Sequence, residues 1–198
     1  MLGDDVVDLA DREAATGASH PRFDDRVFTA SEQDAIARSP EPNALRWTLW
    51  AAKESAYKAA RKLGTRVVFS PRRFEVTALA AYEGTVSHDG TRWRIRMQRR
   101  DDAVHVIAVA EDVGAKEPLG GFARVTSTDA DLSAAVRRFA VREIAAHLAI
   151  DPTRLAILRR GRIPVLTLDA GPTADELSLS HHGSVIGFAA LLAARGAS

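Results

Sequence analysis

The chain has no cysteine, which removes disulfide frameworks, thiolate metal sites and cysteine nucleophiles together. It also has almost no excess of charge, since 27 lysines and arginines face 26 acidic residues for a formal net charge of +1. That balance gives no bulk attraction to nucleic acid or to an anionic membrane, so any cationic function must come from local clustering. No apolar run approaches the length of a membrane span. The opening Met1-Leu2-Gly3-Asp4-Asp5 has neither the basic start nor the apolar stretch of a secretory leader, and a cytoplasmic protein is expected. No convincing internal repeat is found. What remains is a chain of 198 residues, 46% hydrophobic, large enough for one globular domain or for two small halves sharing a core.

The most informative stretch runs from Trp47 to Lys62. Ala, Leu, Lys, Glu and Arg dominate it without a Gly or Pro, so the composition predicts one helix. At helical spacing Trp47, Trp50, Glu54, Tyr57 and Arg61 fall on or near one face. Glu54 therefore puts a carboxylate into an aromatic stripe, where a charge without a partner is costly. Two readings follow. Lys58, four residues on, can make an ordinary surface ion pair with Glu54; or Glu54 points into a site and holds a cation, with Lys53 and Lys58 flanking it to meet phosphate.

Before this helix, Gly3 to Leu9 reads as a short strand around Val6 and Val7. Asp4, Asp5 and Asp8 are unusual in a strand; they suit either a polar chain end or a hard-cation site, since Mg2+ takes one or two carboxylates plus phosphates and waters. Thr29 or Ser31 can cap a short helix over 32–38, and Asn43, after Ser39-Pro40-Glu41-Pro42, can cap the long one. Gly64 is a candidate to end it.

From 67 to 112 the pattern becomes strands: 74–77, a hairpin of 84–86 with 92–97 around Asp89-Gly90, and a buried-looking strand over 104–109. Between Arg92 and Arg100, arginines alternate with apolar residues and share a sheet face, which reads as a solvated outer face or one that meets an acidic partner. The chain's charge balance argues against a nucleic-acid stripe there. Lys116-Glu117-Pro118-Leu119-Gly120-Gly121 marks a boundary between a first half, 1–117, and a second half, 122–198. In the second half a helix is expected over 129–150, capped by Thr128 or Asp129, then a strand, a basic turn at Arg159-Arg160-Gly161-Arg162, and another strand. The closing strands contain Ser178-Leu179-Ser180-His181-His182 and the Ala-rich run from Val185. Neighbouring strand residues point to opposite faces, so His181 and His182 do not readily share one ion.

These pieces resemble the 4'-phosphopantetheinyl transferases. Trp50-x-x-Lys53-Glu54-Ser55-x-Tyr57 is similar to the W-x-x-K-E-[AS]-x-[FY] signature of that family, with Lys58 directly after Tyr57. Gly3-x-Asp5-x-Val7-Asp8-Leu9 is similar to its first motif, and the resemblance makes Asp5 a metal-binding Asp. Asp8 matches the acidic position of the holo-acyl-carrier-protein synthase branch, while Val7 stands where the surfactin-synthetase-activating branch has a second metal-binding Glu. Arg22 and Arg26 fall in a stretch similar to one lying near carrier protein and coenzyme in that branch. Gly161-Arg162-Ile163-Pro164 is similar to the G-[KR]-P turn, with Ile163 as an extra residue. Ser178-x-Ser180-His181 is similar to the coenzyme A motif.

The resemblance implies an α+β fold of two similar halves, each with a long helix on an antiparallel sheet. It implies Mg2+ on Asp5 and Glu54, and catalytic roles for Asp5, Glu54 and Lys58. Coenzyme A contacts are implied from Lys53, Lys58, Ser180, His181 and Arg162, with Arg138 or Arg137 standing in for an arginine that has no clean match. The implied reaction moves 4'-phosphopantetheine onto a serine of an apo acyl or peptidyl carrier protein of fatty-acid, polyketide or nonribosomal-peptide assembly. The length suggests a monomer with its site between the halves. The rival expectation is a non-catalytic module that binds coenzyme A or carrier protein on the same scaffold.

Overall fold

The computed structural model describes residues 1–17, 20–63, 67–80, 82–113, 117–126 and 131–193. The first half comprises strand β1 (Leu2–Asp8), helices α1 (Phe23–Val27), α2 (Ala30–Arg38) and α3 (Pro42–Arg61), and strands β2 (Glu75–Leu79), β3 (Glu83–His88), β4 (Thr91–Arg100) and β5 (Ala103–Ala110). The second comprises β6 (Leu119–Arg124), α4 (Leu132–Leu148), β7 (Leu155–Arg160), β8 (Ile163–Leu168), β9 (Gly171–Pro172), β10 (Glu176–His182) and β11 (Val185–Leu191).

Local chemistry explains most boundaries. Thr29 and Glu32 form a reciprocal capping box at the start of α2. Pro42 opens α3 at its first position, where a missing N–H costs nothing. Asn43, expected as the cap, lies inside that first turn instead, and its side chain donates to the Ala14 carbonyl at 2.9 Å. Asp89 and Gly90 both have positive φ, 47° and 80°, as a two-residue hairpin of this twist requires. The cap of α4 is Asp131, which accepts from Ala134 N–H; the expected caps Thr128 and Asp129, like Gly64, lie outside the described residues.

The architecture is four layers deep. α3 covers one face of the sheet β1-β5-β4-β3-β2, burying Trp47, Ala52, Ala56 and Ala59 against Val7, Val104, Val106 and Ala108. The other face of β1 and β5 packs on the sheet β10-β11-β6 through Val6, Ala103, Phe122 and Val185, and through Leu2, Ile107, Val109, Ala189 and Leu191. α4 covers the far face of that second sheet, with Phe139 and Ile144 against Leu177, Ile186 and Phe188. β5 and β11 are buried along their whole length because both of their faces are covered. The small sheet β7-β8-β9 extends the second half, with β8 beside β10.

The halves repeat a topology that their residues conceal. In each, a first strand is followed by a long helix, and the last strand returns antiparallel to pair with the first, β5 on β1 and β11 on β6. The expected α+β fold of two such halves is what the chain forms. Gly120 and Gly121, expected in a linker, lie in β6; a Cβ at Gly120 would collide with the Ile107 side chain, so glycine lets β6 pass over β5. Arg92, Arg94 and Arg100 of β4 remain exposed, as on the solvated outer face expected of them, and partners hold several of these arginines in place. Arg92 pairs with Glu111 and Arg96 with Glu117, and Arg96 and Arg100 donate to the carbonyls of Pro118 and Phe122 along the edge of β6.

At Gly3, β1 passes close against the backbone of α3. A Cβ there would collide with the Ser55 carbonyl oxygen and sit 2.7 Å from Ala59 N, both backbone atoms that a rotamer change cannot move. Gly3→Ala is therefore expected to cost about 3 kcal/mol or more, at the upper end of overpacking, read as a fall in the denaturant midpoint.

Candidate active site at the seam between the halves

β1 is an edge strand whose pairing partner lies on one side only, and residues of β10 and α3 satisfy its free edge. The N–H groups of Leu2, Asp4 and Asp8 donate to Glu176 Oε2 at 2.9 Å, Ser178 Oγ at 3.0 Å and His182 Nδ1 at 3.2 Å. From α3, Lys58 Nζ donates to the Asp4 carbonyl at 2.9 Å, and Lys62 Nζ bridges the carbonyls of Leu2 at 2.6 Å and Leu177 at 2.8 Å. The seam between the halves is thus lined by backbone, serines and lysines.

The alternation of β1 sorts its carboxylates. Asp4 and Asp8 face the second half, and Asp5 faces α3. There Asp5 Oδ1 lies 2.7 Å from Lys58 Nζ. Burial raises the Asp5 pKa, and the Lys58 cation offsets this only in part. Burial works against the Lys58 cation too, yet Asp5, Asp4 and Glu54 outweigh it and hold its pKa above the ordinary value. Glu54, half-buried on α3, has its pKa pushed up to about 7, first by burial and then by the charge of Asp5. Among the described residues Glu54 makes no hydrogen bond or ion pair. Lys58 is thus spent on Asp5 and the Asp4 carbonyl, and the helix-surface pair with Glu54 does not form.

Lys53 corrects the other expectation for this helix. Its side chain is fully buried, with Nζ 2.8 Å from the Glu32 carboxylate and donating to the Phe74 carbonyl at 2.6 Å. Glu32 also accepts from Thr29 and Val76 N–H. Lys53 ties α2, α3 and the start of β2 together and presents no cation to a phosphate. Ser180 is likewise committed inside: 4% exposed, it donates to Asp4 Oδ2 at 2.6 Å. His181 is exposed on the opposite face of β10, Arg162 is exposed in the turn between β7 and β8, and Arg138 is exposed on α4. The fold therefore brings Asp5, Glu54 and Lys58 together, and holds Lys53 and Ser180 in the interior.

Lys62, Arg124 and Ser184, all at the seam, escaped the sequence reading. Lys62 lies on the stripe of Glu54 and Lys58, at four-residue spacing, and could have been found. Asp4 and Asp8 were separable from Asp5 by strand alternation alone. Asp8 takes a bidentate bond from Arg124 at 2.8 and 3.0 Å and accepts from both Ser184 N–H and Oγ, so it clamps the halves together. Despite the opposing effect of burial, Arg124 and Ser184 hold its pKa down at about 2. A folded-state pKa below the unfolded one gives stability that is present above pH 4 and lost as pH falls through 2. Asp8→Asn is expected to remove about 2 kcal/mol at neutral pH and to flatten the acid limb of a pH–stability profile. Asp11, Glu13 and His182 form a separate group whose ligand atoms lie within 4.8 Å of one another.

Two carboxylates and a lysine where β1 meets α3 make a site suited to a divalent cation and a phosphate ester. The family described as the 4'-phosphopantetheinyl transferase superfamily matches residues 1–110, more than half of the chain, and the chain belongs to it. The matched stretch holds Asp5, Glu54 and Lys58; Ser180, His181, Arg162 and Arg138 lie beyond it. Among solved structures, the chain is similar to the holo-[acyl-carrier-protein] synthase of Thermotoga maritima, with 13% sequence identity over 86% of this chain and 83% of that one and a TM-score of 0.43. No curated protein matches. Among the described residues, no helix is long and apolar enough to cross a membrane.

Proposed function

We propose that this chain transfers 4'-phosphopantetheine from coenzyme A to a serine of an apo acyl or peptidyl carrier protein, with Mg2+ as cofactor, releasing adenosine 3',5'-bisphosphate. The observation that carries the reading is the placement of Asp5 on β1 near Glu54 on α3, with Lys58 bonded to Asp5. Two carboxylates in a partly desolvated place keep one proton near neutrality unless a cation joins them. Their oxygen donors fit Mg2+, which takes one or two carboxylates together with phosphate oxygens and water. Bound there, the ion would neutralise charge on the coenzyme A pyrophosphate.

The roles of the chain's own residues follow from placement. In the transfer, the serine oxygen bonds to the β-phosphorus as the bond from that phosphorus to the bridging oxygen breaks. The adenosine bisphosphate leaves with that electron pair. Glu54 receives the serine proton at its carboxylate. Lys58, whose charge is held by three carboxylates, stabilises the departing phosphate. Arg162, His181 and Arg138 are the exposed second-half groups we assign to the 3'-phosphate end. Both sides of the seam come from one chain, and we read the protein as acting as a cytoplasmic monomer.

The test is chromatographic detection of adenosine 3',5'-bisphosphate after mixing the protein with coenzyme A, Mg2+ and a panel of apo carrier proteins. Release that stops with EDTA is expected. Coenzyme A binding without release on any carrier would favour the non-catalytic module, a reading to which Val7, buried under α3 where a second metal carboxylate would stand, lends some weight.

A further inference from the structure

Ser178 and Ser180 are each 4% exposed and sit on the face of β10 that meets β1. Both are bonded to one residue. Asp4 N–H donates to Ser178 Oγ at 3.0 Å, and Ser180 Oγ donates to Asp4 Oδ2 at 2.6 Å. The same carboxylate oxygen lies 3.2 Å from His105 Nε2, and the Asp4 carbonyl accepts from Lys58. Every polar handle of Asp4 except Oδ1, which has no partner, is thus held.

Asp4 is fully buried between Leu2 and Val6, which fill the same face of β1 with apolar packing. A buried carboxylate costs stability that an apolar residue there would not. The best-attested use of such a group is to fix register. The ladder to β5 fixes the register of β1 within the first half, and among the described residues no backbone ladder joins β1 to β10, so side chains set how β1 meets β10. The three backbone N–H bonds from β1 to β10 keep one offset: Leu2 meets Glu176, Asp4 meets Ser178 and Asp8 meets His182. Lys58 Nζ donates both to the Asp4 carbonyl and to Asp5 Oδ1, so the serines that hold Asp4 also bear on the pair of Lys58 and Asp5.

We propose that Ser178 and Ser180 are positioning residues that hold Asp4, and through it the Asp5 carboxylate, at the level of Glu54 and Lys58, and that they do not contact coenzyme A. The inference rests on the reading of Asp5 and Glu54 as the ion site. It is tested with Ser178→Ala and Ser180→Ala, each first checked for a cooperative melt. Mn2+ binding is followed by electron paramagnetic resonance, and coenzyme A binding by calorimetry in EDTA. Each variant is expected to weaken Mn2+ binding about tenfold, the usual effect of removing a group that orients a metal ligand, while metal-free coenzyme A affinity stays within about twofold. If Ser180→Ala does not fold, Ser178→Ala carries the test, since it removes only the acceptor for Asp4 N–H. Coenzyme A affinity falling tenfold with Mn2+ binding intact would overturn the proposal and make the serines coenzyme contacts. No change in either would overturn it too. Wild-type protein that binds no Mn2+ would instead overturn the ion site itself, and the proposal with it.

Discussion

Glu54→Gln is expected to reduce phosphopantetheine transfer by on the order of a thousandfold, the scale lost with a positioned proton acceptor, while leaving the fold intact. The substitution keeps size and shape but removes both the charge that would hold Mg2+ and the group that would take the serine proton. It should also change stability in a direction that simple damage would not. The folded-state pKa of Glu54 is raised to about 7 from an ordinary 4.5. The stability linked to that proton is fully present below the unfolded value and lost as pH rises through 7. In metal-free protein Glu54 therefore opposes folding at alkaline pH by about 3 kcal/mol, and Glu54→Gln should melt higher than wild type at pH 8 in EDTA. Saturating Mg2+ should raise the wild-type melting temperature at that pH and leave the variant unchanged. A variant that transfers normally would remove Glu54 from the mechanism.

Lys53→Met is expected to be the most destabilising change in α3, for a reason unrelated to phosphate. Methionine fills much of the same space, but Glu32 would be left as a buried carboxylate without its cation, and the Phe74 carbonyl without its donor. Breaking a buried ion pair from one side costs about 3–5 kcal/mol, whereas replacing both partners is far milder. The single variant should thus lose most of its denaturant resistance, and Lys53→Met with Glu32→Gln should recover a large part of it. Equal stability of the single and double variants would show that the pair is not coupled. A Lys53 variant that stays folded yet loses coenzyme A affinity would restore the phosphate role that its burial argues against.

Adjacent residues in α3 show where the sequence was legible and where it was not. The helix and its aromatic stripe follow from periodicity, while the grouping of Asp5, Glu54 and Lys58 was implied by the family resemblance. The hairpin at Asp89-Gly90 and the capping box at Thr29 are equally local. Whether Lys53 or Lys58 reaches the seam was not legible, because the answer depends on Glu32, a residue 21 positions earlier on another helix. Ser180 and His181 looked like one motif, yet strand alternation puts one inside against Asp4 and the other in solvent. The repeat of the two halves is a repeat of topology: β1 carries aspartates where β6 carries glycine, phenylalanine and arginine, so no residue pattern survives to report it. The arginines of β4 were visible as a stripe, but their carbonyl acceptors come from β6, on the far side of the boundary.

The measurement that bears most directly on the account is intact-protein mass spectrometry of apo acyl and peptidyl carrier proteins incubated with coenzyme A, Mg2+ and this protein, run beside Glu54→Gln and an EDTA control. The account predicts a mass gain of one phosphopantetheine on at least one carrier with the wild-type protein, and none in either control. A gain that persists in EDTA and in Glu54→Gln would contradict the site built from Asp5, Glu54 and Lys58. No gain on any carrier, from protein that is folded, would contradict the proposed transfer.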